Sequence, residues 1–191
     1  MATNDERWRD QLDTSANGVF RSAWAVFYSI PFSLTISFIT WKSMDLAGDT
    51  QKHPFFYAGK MGFIGIQTSE LLITWLAKIA ALTFIARNLG AEGRITRILV
   101  GFNWAQPVFI VILTMASGVW AISPSSNLGH TVSLSVLAIQ VMILWGVFRR
   151  GFESDAATTV AILGGILVVD ILVTSAIRRL AIGLLEMTGS L

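Results

Sequence analysis

From Phe20 to Trp41 the chain runs for 22 residues with a single charge, Arg21, at its start. A helix needs about 20 apolar residues to cross the hydrocarbon of a bilayer, and a spanning helix satisfies its own backbone hydrogen bonds there. The same kind of run recurs at Gln67–Arg87, Ile98–Ile122, Thr131–Phe148 and Ala157–Ile177. The expected fold is therefore all-α: one polytopic transmembrane helix bundle over residues 1–191. Its five spans are expected at about 20–41, 67–87, 98–122, 131–148 and 157–177. Charged residues make up 14% of the chain, against about 25% in a soluble domain, too few to coat a water-exposed surface. The first run is too long for the apolar part of a signal peptide, and no A-x-A-like site follows it, so it is read as an uncleaved span.

Two segments fall outside this pattern. Residues 1–18 are polar and mixed in sign, and residues 42–66 read as a long loop. Within that loop Pro54–Ile66 is apolar but short and contains Lys60 and three glycines, so an interfacial stretch is expected rather than a sixth span. Arg7, Arg9, Arg21, Arg87, Arg94, Arg97, Arg149 and Arg150 then share one side of the membrane. The other side holds Lys42, Lys52, Lys60, Arg178 and Arg179. The positive-inside rule places the N-terminus in the cytoplasm and the 42–66 loop outside.

Much chemistry is excluded by what the spans lack. The chain has no cysteine, so it has no disulfide, thiolate metal site or cysteine nucleophile. Its two histidines, His53 and His130, are expected in loops, which leaves no axial ligand for a buried haem. No P-loop, dinucleotide-type glycine pattern or zinc-ligand spacing occurs, and no basic run would track a nucleic acid. No cofactor, metal or enzymatic activity is expected.

What remains is a set of polar groups inside the spans. Lys78 is central in the second span and Asp170 lies a little past the middle of the fifth. Gln140 is central in the fourth; Gln106, with Asn103 one turn before it, lies in the third. A charge at the centre of a span costs about 2.5–3.5 kcal/mol on insertion scales, so such groups face the bundle interior and find partners. Matched depth and opposite sign predict a Lys78–Asp170 ion pair, with Gln106 and Gln140 completing the hydrogen bonding. The plainer reading is helix-to-helix adhesion; the functional one is a site for a proton, ion or small ligand. Pro31 and Pro107 each deprive a carbonyl of its donor, at Phe27 and Asn103, and predict kinks. Glu70 is read as interfacial and unpaired with Lys78, and no internal repeat is expected.

Four stretches carry a resemblance: FRSAWAVFYSIP at Phe20–Pro31, LLITWLAKIAALTFIARNLG at Leu71–Gly90, RILVGFNWAQPV at Arg97–Val108, and VVDILVTSAIRRL in the last span. Together they resemble a group of uncharacterised alphaproteobacterial inner-membrane proteins, loosely similar to the five-helix Yip-type membrane family. The resemblance implies a compact bundle in a bacterial cytoplasmic membrane and carries no activity or catalytic residue. The leading expectation is a non-enzymatic binding, scaffold or accessory subunit whose partner is membrane lipid, another membrane protein or a second copy of the chain. The alternative is a small transporter or channel component that uses the polar layer of Lys78, Gln106, Gln140 and Asp170.

Overall fold

A computed structural model describes residues 13–46, 54–122 and 126–187. Five helices account for nearly all of them: α1 (Ala16–Leu46), α2 (Gly59–Asn88), α3 (Ile95–Ile122), α4 (Ser126–Gly151) and α5 (Ala156–Met187). All five are long and apolar enough to cross a membrane, and no strand occurs among the described residues. The chain is an all-α five-helix bundle. Trp8, Lys52 and His53 lie outside the described residues.

Every helix extends beyond its predicted span, because polar residues that end an apolar run do not end a helix. Ser15 caps α1: its Oγ accepts the Gly18 N–H at 3.1 Å, so the helix starts inside the expected 1–18 segment. The expected 42–66 loop is shorter than predicted. Residues 42–46 continue α1, Pro54–Ala58 form a 3-10 turn, and Gly59 turns the chain into α2 at a φ of 68°. The apolar stretch read as a separate interfacial piece is thus largely the start of α2. Its three glycines lowered the helical signal without breaking the helix. Lys60 lies 4.4 Å from the Phe38 ring centroid and fastens this end of α2 to α1. α4 begins at Ser126, which puts His130 in a helix and not in a loop. Pro31 and Pro107 lie inside α1 and α3, and both helices continue past them.

Contacts between helices close a ring in the order α1, α3, α4, α5, α2 and back to α1, with α2 also touching α3 across the middle. The apolar core fills one end of this ring. Phe102, Phe148 and Phe152 stack there with Leu82, Ile98 and Ile162, at the end of α2, the start of α3, the end of α4 and the start of α5. Turns at the same end are held tightly. Gly90, at φ 65°, closes α2: its N–H reaches the Arg87 carbonyl, and the Ala91 N–H reaches Ala86 at 2.8 Å. Arg94 and Arg97 both grip Glu153, at 3.0 and 3.1 Å, and Arg94 also donates to the Phe152 carbonyl at 2.7 Å. The turns that precede α3 and α5 are thereby joined.

Asp155 caps α5 by accepting the Thr158 N–H at 2.7 Å. That backbone bond, helped by a side-chain bond from Thr158, holds its carboxyl below the ordinary carboxylate range. A depressed pKa means that the cap is fully present at neutral pH and is lost as acid protonates the carboxylate. Protection of the amides at residues 156–159, as exchange rate relative to the pH-dependent intrinsic rate, is expected to fall on acidification in the parent. In Asp155→Ala the protection should be low already at neutral pH and nearly independent of pH.

Candidate functional site: an intramembrane cavity between two crossed ion pairs

The half of the ring away from the core is not filled. A cavity of about 320 Å³ lies there between α1, α2, α3 and α5, within the size range of small-molecule sites. Lys78, Gln106, Gln140 and Asp170 all line it. Lys78 and Asp170 form the expected ion pair, with side chains 14% and 38% exposed. The two glutamines are brought beside the pair but make no hydrogen bond to it among the described residues, so their amides are left facing the cavity.

Asn103 is placed elsewhere. It is 1% exposed, at the packed end, where its Oδ1 accepts the Trp75 indole N–H at 3.1 Å. Its Nδ2 donates to Ser22 Oγ at 2.9 Å, and Ser22 in turn donates to the Val19 carbonyl. Asn103 therefore ties α1, α2 and α3 together. Its depth was legible in the sequence; its use as a tie between three helices was not.

A second ion pair accompanies the first and was not anticipated. Arg178 on α5 reaches Glu70 on α2 through two bonds, Nε to Oε2 at 3.3 Å and Nη2 to Oε1 at 3.2 Å. From Glu70 to Lys78 is eight residues along α2, and from Asp170 to Arg178 is eight along α5. Because the two helices run antiparallel, each acid meets the base of the other helix, at two levels about 12 Å apart. The sequence signal is a short near-repeat. E-L-L-I-T-W-L-A-K at Glu70–Lys78 matches D-I-L-V-T-S-A-I-R at Asp170–Arg178, acid against acid and base against base.

Midway in each copy stands a threonine, Thr74 and Thr174, and both line the cavity. Thr74 is 6% exposed, and its Oγ1 has no hydrogen-bond partner among the described residues. That is unusual within this bundle. Ser29, Ser37, Thr68, Thr83, Thr114, Ser117 and Ser135 all donate to the carbonyl four residues back. A buried hydroxyl left unpaired costs about 1–3 kcal/mol. The opposite wall, on α1, adds the hydroxyl residues Ser29, Ser33, Ser37 and Thr40. The serines were passed over because a lone serine in an apolar run gives little signal; their four-residue spacing puts them on one face.

The site thus offers charges of both signs, amides and hydroxyls around a half-open space. It presents no group of three or more His, Cys, Asp or Glu residues that could hold a metal ion among the described residues.

Lys78→Ala is expected to lower stability by about 1–3 kcal/mol, since Asp170 is left inside the span without its ion-pair partner. Exchanging the residues (K78D with D170K) should recover most of that loss. Glu70→Ala should cost no more than about 1 kcal/mol, because Arg178 is half-exposed. Thermal unfolding in detergent measures all three. Equal stability of Lys78→Ala and the parent would show that the pair carries no structural load.

Compared with protein-family models, curated proteins and solved structures, the chain matches none.

Proposed function

We propose that this protein is a non-enzymatic binding protein of the bacterial cytoplasmic membrane, and that the cavity between the two crossed ion pairs is where its ligand sits. The observation that carries the reading is Thr74: a buried hydroxyl with no partner, between two ion pairs, on the wall of a cavity large enough for a small molecule. Polar groups that serve only to glue helices together use up their hydrogen bonds on one another, as Asn103, Trp75 and Ser22 do at the packed end. Around the cavity, Thr74, Gln106 and Gln140 make no such bond among the described residues. Membership of the alphaproteobacterial inner-membrane group belongs to the same proposal. So does an N-terminus on the cytoplasmic side, supported by the clustering of Arg94 and Arg97 with the Glu153 turn at the packed end.

A second reading, passage of a proton or small ion, is favoured by one specific feature. Lys78 and Asp170 line this cavity and also a second one on their other side, so the pair stands between two spaces. An accessory role toward a protein partner draws no comparable support from the site.

Because the chain lacks cysteine, single cysteines report access cleanly. Cysteine placed at Ser33 or Thr174 is expected to react with a small water-soluble thiol reagent in membrane vesicles, and cysteine at Ile98 in the core is not. Absence of reaction at both cavity positions would mean a dry, closed interior and would remove the binding reading. Proton flux into liposomes that disappears with Asp170→Asn would turn the conclusion from binding to passage.

A further inference from the structure

The second cavity, of about 360 Å³, differs in character from the first. Its polar lining is the same four residues, Lys78, Gln106, Gln140 and Asp170. All its other lining residues are apolar and come from α3, α4 and α5. It is open toward the lipid. Leu137 and Val141 on α4, and Val160 and Leu167 on α5, line it and are 45–59% exposed on the outer face of helices built to lie in hydrocarbon. At Gly164 a Cβ would meet nothing within 4 Å, so this glycine leaves part of the cleft empty. The ring of helices therefore holds a half-open space of mixed polar and apolar lining and, across Lys78–Asp170, an apolar cleft that opens sideways between α4 and α5.

We infer that the ligand is a membrane amphiphile with a zwitterionic head, the head seated between the crossed ion pairs and an alkyl chain in the α4–α5 cleft. This rests on the cavity being a binding site. The chain is assigned by continuity: the two spaces share four residues, and one of them faces lipid. The head is assigned by charge. Glu70–Arg178 and Lys78–Asp170 are each balanced, so a head of net charge would leave one charge uncompensated in a low-dielectric interior. A head with one ammonium and one acid adds nothing to the balance. It can use capacity that both ions still have: Asp170 accepts from Lys78 and has further lone pairs, and the Lys78 ammonium has further N–H groups. Thr74 and Thr174 then offer hydroxyls to the remaining head oxygens. Water alone could satisfy the hydroxyls, but it would not fill an apolar cleft.

The test is native mass spectrometry of the full chain in a non-ionic detergent micelle, titrated with lysophosphatidylethanolamine, lysophosphatidylglycerol or glycerophosphoethanolamine, the chainless phosphodiester of the same zwitterionic charge. The zwitterionic lysolipid is expected to bind at one equivalent, and the anionic lysolipid and the chainless head group about tenfold or more weakly. Gly164→Phe fills open space in the cleft, and Thr74→Val replaces an unpartnered hydroxyl by a methyl of the same shape, so both variants should fold. Each should weaken lysolipid binding about tenfold. If glycerophosphoethanolamine binds as tightly as the lysolipid and Gly164→Phe changes nothing, the amphiphile is overturned while the cavity remains a binding site. If lysolipid binds but Thr74→Val and Asp170→Asn have no effect, it lies on the lipid-facing surface, and both readings fall. Preference for the anionic lysolipid, or no one-equivalent binding of the zwitterionic one, also overturns the inference.

Discussion

The pairing of α2 with α5 sets the terms for the rest of the molecule. Lys78 and Asp170 have been carried to the middle of their apolar runs, where each would be expensive alone, and Glu70 and Arg178 stand about two turns nearer the end. In the antiparallel arrangement every one meets an opposite charge, and it does so in one register. A slip of one helical turn along the contact would separate Glu70 from Arg178 and Lys78 from Asp170 together. Between membrane helices there is little hydrophobic preference for one register over another, because lipid is as apolar as leucine. The crossed pairs supply the discrimination that apolar packing cannot. The remaining helices close around a pair whose relative height is already fixed.

Packing quality then divides the bundle in two. Toward the arginine-bearing turns, aromatic rings stack and Asn103 uses its amide on two neighbouring helices. Toward the other end, glutamines, serines and threonines line a space that the side chains do not fill. A bundle selected for stability alone would close that space or make its surface apolar. The contrast between the two halves, more than any one residue, makes the cavity a site.

Much of this was legible in the sequence. Five long apolar runs give five helices, and the depth of Lys78 and Asp170 gives their pairing. Gln106 and Gln140 follow from the same depth argument. Helix rotation did not follow, because depth is a position along an axis and says nothing about the angle around it. Asn103 and Gln106 lie one turn apart on α3, yet Asn103 uses its amide on Trp75 and Ser22 while Gln106 lines the cavity. Glu70 and Arg178 were missed for a different reason. Charges near the ends of apolar runs are usually solvated, so neither suggested a partner until the antiparallel contact placed one beside the other. The near-repeat around Thr74 and Thr174 was hidden by a separation of a hundred residues and by exchanges at seven of its nine positions. The extent of α2 was underread because Gly59, Gly62 and Gly65 thin the apolar signal while leaving a helix free to form.

The turn between α4 and α5 is only a few residues long, and its Glu153 is gripped by Arg94 from the turn before α3 and by Arg97 in the first turn of α3. Two rods clamped at one end can separate only at the other. The seam between α4 and α5 is therefore built like a clothes peg: its jaws lie on the side away from the clamp, and any widening grows with distance from Glu153. Access from the bilayer to the interior of this protein is, on mechanical grounds, directional.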